Sequence, residues 1–353
     1  MSPDPDVQLR RFRALVAPGT PLRDGLERVL RGRTGALVVL GSNRAVEQVS
    51  TGGFSLDTPF TPMALRELSK MDGAVVLSSD LSRIVAAGVQ LMPDARIETL
   101  ETGTRHRTAD RVARQTEVPA VTVSASMATI ALFLSDGRHP VEPSQVILGQ
   151  AGQALQTLER YSERLWTLLT QLSSLEVQDQ VTVKDVVLVM QRLEMVRRLQ
   201  QELDDYVLSL GTDGRLLELQ VRELDGSASE VAALLERDYS SADGPPLQVA
   251  ALHDIPTAEL LEPLTVARVV GFSTEDHLDR RLTPRGFRQL AQIQRLPGAL
   301  GERLLEHFGG LQALFSASKA ELQEVEGVGE QRARMIRDGL IRVAEAAYTE
   351  RLG

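Results

Sequence analysis

The hydrophobic pattern of this 353-residue chain changes near residue 140, and no other feature constrains its fold as strongly. Before that point, short apolar runs between glycines and turn residues predict buried strands that alternate with amphipathic helices. After it, apolar residues recur at helical spacing in three long segments, 144–172, 184–210 and 216–239. We therefore expect an α/β domain over residues 1–140, built on a mixed sheet flanked by helices, and an all-α spine over residues 141–285.

The first 140 residues contain clear helix and strand signals. Thr61-Pro62 favours a helix start, because a hydroxyl can cap the first turn and proline suits the first helical position. Helices are expected over 21–31, from Pro62 to about Lys70 and after Gly103, and strands over 35–41, 74–78, 84–90, 120–124 and 129–134. In the helix after Gly103, the pattern places Ala109, Val112 and Ala113 inward and Asp110, Arg111 and Arg114 outward.

The composition excludes several classes of chemistry. The chain has no cysteine, which rules out disulfides, thiolate metal sites and cysteine nucleophiles. Its apolar runs are only as long as strands, so we expect no membrane span. Its acidic first residues lack the apolar segment of a secretory signal, and we expect a soluble cytoplasmic protein.

The net charge of −9 argues against a general nucleic-acid coat, but the charge is unevenly distributed. Residues 281–353 contain eleven Arg or Lys and nine Asp or Glu, a net charge of +2, so the remainder carries −11. A modestly basic tail on an acidic body is compatible with an anionic partner, and equally with ordinary variation of surface charge.

The tail, residues 286–353, contains an internal repeat in which two glycine-containing hairpins join helices. The first hairpin is Leu296–Gly301 and the second is Val325–Gly329. Glycines allow a tight turn with exposed backbone, and the next helix then begins with N–H groups that can bind a backbone phosphate. Such contacts position nucleic acid without reading its sequence.

Both hairpins resemble the helix-hairpin-helix DNA-binding module. The second matches well, with Val328 expected to pack inside the hairpin, whereas the first has one residue inserted between the usual glycines in residues 297–301. The resemblance assigns DNA binding to Gly327, Val328, Gly329, Gln331, Arg332 and Arg334. A small helical bundle or a protein-docking module is the alternative, because Glu324, Glu326 and Glu330 offset the nearby arginines.

Two short segments about thirty residues apart carry the polar chemistry of the N-terminal domain. Residues 71–74 place one carboxylate before an apolar run, and residues 103–109 place two arginines, a histidine and two threonines in the opening turn of a helix. Asp can bind a divalent cation, and arginine can bind phosphate oxygens bidentately. Cations at a helix N-terminus oppose the helix dipole, which favours an anion-binding site over a solvated charged turn. For Asp72-Gly73 alone, the alternative is a simple turn.

Residues 67–74 and 101–109 resemble the two signature motifs of the diadenylate cyclase family. The order of cyclase domain, helical spine and helix-hairpin-helix tail is similar to the branch of that family that scans DNA integrity. The resemblance implies condensation of two ATP molecules to cyclic di-AMP with release of two pyrophosphates, across facing protomers of a homo-octamer. It also implies regulation by branched or damaged DNA, such as four-way junctions, and association with the nucleoid in the cytoplasm.

The resemblance also implies roles for individual residues. The catalytic set is Asp72, Arg105, His106 and Arg107, in which Asp72 would hold Mg²⁺ or Mn²⁺ and help to activate the attacking hydroxyl. The phosphates would be bound by Thr104, Arg105, His106, Arg107 and Thr108. Gly73 and Ala74 would let the nucleotide approach the backbone, Leu91 would contact the adenine, and Ser124 would lie near the triphosphate.

Two other functions fit the same residues. One is a non-catalytic, nucleotide-sensing scaffold for DNA repair, and the other is a nucleotide-binding signalling module that recruits repair proteins through the helical spine. Asp72 together with an intact arginine cluster favours the enzyme, because a degenerate site would be expected to lose one of them. Turnover of ATP by the protein alone separates the enzyme from both alternatives.

Overall fold

The structure, a computed structural model, describes residues 5–224, 228–240, 246–273 and 277–349. The chain divides into two compact units, residues 1–153 with 202–220 and residues 154–201 with 221–353. The strands are β1 Ala36–Val39, β2 Ser50–Thr51, β3 Phe54–Pro59, β4 Ala74–Leu77, β5 Arg83–Leu91, β6 Ala120–Ser124, β7 Thr129–Leu134 and β8 Gly137–Val141. The helices up to residue 239 are α1 Pro5–Leu15, α2 Pro21–Arg31, α3 Arg44–Val49, α4 Pro62–Leu68, α5 Thr104–Thr116, α6 Ser144–Val177, α7 Val183–Leu210, α8 Arg215–Leu224 and α9 Ala228–Tyr239. They are followed by α10 Thr257–Leu260, α11 Pro263–Val270, α12 Phe287–Ala291, α13 Gly298–Phe308, α14 Leu311–Ser316, α15 Lys319–Gln323 and α16 Glu330–Thr349, and short 3₁₀ segments span Gly211–Gly214 and Val249–Asp254.

The eight described strands form one mixed sheet in the first unit. Their order is β2-β5-β4-β1-β6-β7-β8, and β3 pairs with β5 outside this path. β1 and β4 are parallel, with Val38 opposite Val75. The other described strand pairs are antiparallel. The prediction of a mixed sheet flanked by helices is therefore confirmed.

Helices cover both faces of the sheet centre, and the central strands are therefore apolar along their whole length. Successive residues of a strand point to opposite faces, so each strand contributes to two separate clusters. On one face, Val38 of β1 packs in a cluster with Leu26 of α2 and Leu65 of α4. On the other face, Phe133 of β7 packs in a cluster with Ala109 of α5. This layering places the N-terminus of α5 beside the sheet.

Asp110 of α5 is buried, which corrects the outward position expected from the sequence. Its carboxylate accepts a hydrogen bond of 2.9 Å from Nε of Arg114, one turn further along the helix. This pairing compensates the charge and lets a carboxylate occupy a face that packs against the sheet. Arg111 is half-buried because it donates hydrogen bonds to the main-chain carbonyls of Ile97 and Ala95, at 2.8 and 2.9 Å.

The helical region follows the expected pattern with two differences. α6 and α7 confirm the first two long helices, and α6 continues to Val177. The third predicted helix corresponds to α8 and α9, and residues 225–227 between them lie outside the described part of the chain. The sequence pattern did not predict α1, α3, β2, β3 or β8.

Candidate functional site

The strand directions bring several of the singled-out residues to one edge of the sheet. β1 and β4 begin at this edge, because they are parallel, and the antiparallel strands β6 and β5 end there. The register confirms this arrangement, since Ala36 lies opposite Val123 and Ala74 lies opposite Val89. At or just beyond these pairs lie Gly35, Asp72, Gly73, Ala74, Leu91 and Ser124. We call this end of the sheet the site edge.

Gly73 can only be glycine in this backbone arrangement. Its φ is +108°, and a Cβ there would lie 2.6 Å from the carbonyl carbon of Gly88 and 2.8 Å from the carbonyl oxygen of Val89. β4 and β5 therefore approach each other more closely here than a side chain permits. Asp72, which is exposed, directly precedes Gly73 at this close approach of the two strands.

Asp72 fits a divalent cation that is shared with a phosphate ligand. Mg²⁺ in proteins is commonly held by one or two carboxylates, with substrate phosphates and waters completing the octahedron. Within the described residues, no group of three or more His, Asp or Glu side chains could hold a metal ion. Asp72 could therefore supply one carboxylate ligand to a cation that a phosphate ligand also binds.

The N-terminus of α5 provides anion-binding groups beside the site edge. The helix begins at Thr104 with no side-chain cap on Gly103, and its first main-chain bond runs from Arg107 N to Gly103 O at 2.8 Å. The preceding N–H groups have no partner within the helix and point toward its N-terminal end. Arg105 and Arg107 are exposed, and the hydroxyl of Thr108 donates to the carbonyl of Thr104 at 2.9 Å.

His106 differs from the two arginines that flank it. It is only 7 % exposed, and its ring lies against Phe133 with centroids 5.9 Å apart. Burial lowers the pKa of His106, and the positive charge of Arg138 lowers it further, while Glu101 opposes the shift. Both effects favour the neutral form of the imidazole. Its Nε2 has no hydrogen-bond partner among the described residues.

Other polar atoms near the site edge also lack partners. Within the described residues, the buried hydroxyl oxygens of Thr34, Thr122 and Thr129 accept or donate no hydrogen bond. Thr34 precedes Gly35, and Thr129 lies opposite Ser124 in the β6–β7 register. Buried polar groups without partners are rare and need a physical explanation. Sequence patterns could not single them out, because a threonine in or beside a strand is ordinary until its neighbours are known.

The second tail hairpin has the expected local structure. Val328 is 5 % exposed and belongs to the core of the tail, as predicted. Gly327 has a φ of +87°, and α16 begins three residues later at Glu330. Gln331, Arg332 and Arg334 are exposed. Arg332 also donates to the carbonyl of Gly327 at 2.7 Å, so part of its guanidinium stabilises the turn.

The first tail hairpin contains no inserted residue, which corrects the alignment expected from its glycines. Leu296 N donates to Ile293 O, just as Val328 N donates to Val325 O 32 residues later. The same offset relates the bond from Gly301 to Pro297 to the bond from Ala333 to Gly329. Arg295 stands at the position of Gly327 and has a φ of +63°. The sequence misled because glycines at 298 and 301 lie inside α13, whereas the left-handed turn residue is an arginine.

A mixed-sheet domain whose site edge gathers a carboxylate, close-packed glycines and an uncapped helix N-terminus defines the class of nucleotide-binding α/β proteins. Comparison with protein families agrees. Residues 23–138 match the family described as the nucleotide-binding region of the DisA bacterial checkpoint controller, and residues 141–278 match its linker region.

Full-length relatives identify the family. Proteins named DNA integrity scanning protein DisA from Kineococcus radiotolerans and Streptomyces coelicolor are each 54 % identical to this chain over 98 % of its length. The aligned regions cover 98 % and 94 % of those proteins. The chain therefore belongs to the DisA family, and the resemblance in its motifs is confirmed.

Two solved structures match about a third of the chain. A double mutant of DacA from Staphylococcus aureus is 20 % identical, with a TM-score of 0.30 over 35 % of this chain and 88 % of that one. A hypothetical membrane spanning protein from Bacillus cereus is 22 % identical, with a TM-score of 0.32 over 35 % and 62 %. Among the helices that the structure describes here, none is long and apolar enough to cross a membrane.

Proposed function

We propose that this protein is a diadenylate cyclase that converts two ATP molecules into cyclic di-AMP and two pyrophosphates. The observation that carries the proposal is that Asp72, the close contact of Gly73 with β5 and the first turn of α5 lie at one edge of the sheet, in a chain of the DisA family. Each 3′-hydroxyl oxygen would form a bond to the α-phosphorus of the other nucleotide. The bond from that phosphorus to pyrophosphate breaks, and the hydroxyl proton is released.

The residues at the site edge have distinct roles in this proposal. The free N–H groups of α5, with Thr104, Thr108, Arg105 and Arg107, bind the phosphates and place the α-phosphorus. Phosphoryl transfer depends mainly on such positioning and on stabilisation of the developing charge. Ser124 lies near the triphosphate, Leu91 contacts the adenine, and Gly73 and Ala74 admit the nucleotide to the backbone. His106, whose Nε2 has no partner among the described residues, completes the phosphate-binding set.

Asp72 would hold Mg²⁺ or Mn²⁺ together with the phosphates of ATP. The cation would neutralise phosphate charge and lower the pKa of a coordinated hydroxyl. Asp72 is exposed and directly precedes Gly73, where the chain before β4 lies close to β5, so its main chain is at the site edge and its carboxylate is open to a ligand.

The remaining parts of the proposal concern assembly and control. One site edge accommodates one ATP, so two protomers must face each other, which agrees with a homo-octamer of paired cyclase domains. We propose a division into a cyclase domain over 1–140, a spine over 141–285 and a DNA-binding tail over 286–353. The tail would bind branched DNA at the nucleoid through Gly327, Val328, Gly329, Gln331, Arg332 and Arg334. Its support is the repeated hairpin geometry and the exposure of the last three residues.

The first experiment is incubation of the purified protein with ATP and either Mg²⁺ or Mn²⁺, with the products separated by mass. Wild type should form cyclic di-AMP, and Asp72→Asn should lose turnover far more than ATP affinity, because the carboxylate acts on the reacting centre. Near-normal turnover by Asp72→Asn would contradict the assigned role. Addition of a four-way junction tests control by the tail. ATP binding without product under either cation would leave a nucleotide-sensing scaffold.

A further inference from the structure

We propose that Gly35 is a positioning residue for Arg105, because it leaves open the space in which the Arg105 guanidinium lies at the site edge. The inference rests on the proposed function and adds a residue that belongs to neither signature segment. Gly35 directly precedes β1 and lies seventy residues before Arg105 in the chain. The two residues meet because α5 packs on one face of the sheet, over β1 and β6.

The geometry shows how closely the guanidinium approaches. A Cβ on Gly35 would lie 2.6 Å from Nη1 of Arg105 and 3.3 Å from its Cζ. It would also lie 3.2 Å from the carbonyl oxygen of Val123, at the end of β6. Cβ atoms in proteins essentially never lie within 3.0 Å of the heavy atoms of non-neighbouring residues. The guanidinium therefore occupies the volume that any other residue at position 35 would fill with its own side chain.

An alanine at this position would move the charge without destroying the fold. The contact at 2.6 Å is with the end of a long and partly exposed side chain, which can swing away from the sheet. Relief of the contact requires a shift of about 1 Å, and a misplacement of that size can cost about 100-fold in rate. Loss of activity with Arg105 still present would thus come from the position of its charge.

The backbone at Gly35 needs its own control. Gly35 has a φ of +70°, so alanine there is strained even without the contact. Gly309, which follows α13, has a φ of +75° and nothing within 4 Å of the place where a Cβ would stand. Gly309→Ala therefore places alanine at a similar positive φ without displacing a neighbour, and it should leave basal ATP binding and turnover unchanged.

The test uses the full chain in five forms: wild type, Gly35→Ala, Arg105→Ala, the double variant and Gly309→Ala. ATP binding is measured by calorimetry, cyclic di-AMP formation by mass, and the unfolding midpoint by circular dichroism. Gly35→Ala should lower turnover roughly 10–100-fold, because the guanidinium is displaced. The double variant should bind ATP as weakly as Arg105→Ala and no more weakly, since truncation of Arg105 removes the side chain whose charge the new Cβ would displace.

Three results would overturn the inference. The first is that Gly35→Ala keeps wild-type turnover and ATP affinity. The second is that Gly35→Ala lowers ATP affinity as much in the Arg105→Ala background as it does in wild type. The third is that wild type does not bind ATP. If wild type binds ATP but forms no cyclic di-AMP, the cyclase proposal fails alone. The ATP-binding cycle then still decides whether Gly35 acts through Arg105.

Discussion

Replacement of Arg288 by methionine should strongly destabilise the second unit, because it leaves a buried carboxylate without its cation. Glu176 at the end of α6 is 0 % exposed, and it receives hydrogen bonds from Nη2 and Nε of Arg288 at 2.6 and 3.0 Å. The guanidinium also bonds the hydroxyl of Ser173 at 2.9 Å. These contacts bind α12, the first helix of the tail, to α6 within the second unit.

The magnitude follows from what remains after the substitution. Glu176 keeps the hydroxyl of Tyr239, which donates at 2.6 Å, and the side-chain amide of Gln289. Removal of one partner from a buried pair costs about 3–5 kcal/mol, and two remaining donors place Arg288→Met near the lower value, about 3 kcal/mol. With an m value of about 2 kcal/mol/M, the urea midpoint should fall by about 1.5 M.

Urea unfolding followed by the circular dichroism signal of helices provides the assay, because the described secondary structure of the second unit is helical. Arg334→Met is the matched control, because Arg334 and its partner Glu330 are 60 % and 77 % exposed and such pairs contribute about 0.5 kcal/mol or less. In a Glu176→Gln background, Arg288→Met should cost much less, since the carboxylate that directly pairs with the guanidinium is then replaced by a neutral amide. A midpoint shift below about 0.5 M for Arg288→Met alone would refute the reasoning.

Three further predictions concern pH, backbone strain and DNA. The pKa of His106 is lowered in the folded chain, so below about pH 6.5, the ordinary pKa of histidine, the unfolded chain binds more protons than the folded chain. The free energy of unfolding should therefore fall as the pH decreases below about 6.5, and it should fall less in His106→Leu. Thermal unfolding at several pH values measures this difference. Arg295→Gly should raise the free energy of unfolding by about 0.5–1 kcal/mol, because it removes a non-glycine residue from the left-handed conformation. Gly327→Ala, at the equivalent position of the second hairpin, should lower it by about 1 kcal/mol. If chemical denaturation shows both variants to be equally destabilised, the 32-residue repeat is contradicted. Arg334→Gln should weaken binding to a DNA junction and reduce the magnitude of the slope of log K against log salt by about 0.9, the value for one phosphate contact. An unchanged slope in a salt titration would show that Arg334 does not contact DNA.

The sequence predicted the central strands well, because burial on both faces makes them continuous apolar runs. β6 and β7 have the predicted bounds, 120–124 and 129–134. β3 escaped prediction because most of its residues are exposed, and β2 has only two residues. Asp110 was misplaced because a helical pattern assigns charges to solvent, whereas here Arg114 lies one turn away and compensates the carboxylate.

The site was predictable only in part. The two signature segments identify Asp72 and Arg105 by their residues alone. Their meeting at one edge depends on the strand order β5-β4-β1-β6, which no local pattern specifies. For the same reason Gly35 seemed no more than a strand boundary, and its contact with a side chain of α5 emerged only from the tertiary structure.

Several residues at the site edge make unfavourable contributions to the free energy of folding. Their concentration there is the strongest physical reason to place a ligand at this edge. Two exposed arginines in the first turn of α5 oppose the helix dipole at about 0.3–1 kcal/mol each. His106 is buried with an unpartnered nitrogen, and a buried polar group without a partner costs about 1–3 kcal/mol. An anion at the α5 N-terminus would reverse the sign of the arginine term, because the same charges would then be attractive. In the described residues of the tail, no buried side-chain polar atom lacks a partner, and the left-handed Arg295 is the one non-glycine exception to ordinary backbone geometry. The energetic case for a ligand is therefore stronger at the sheet edge than in the tail, where the proposal of DNA binding depends on repeated hairpin geometry.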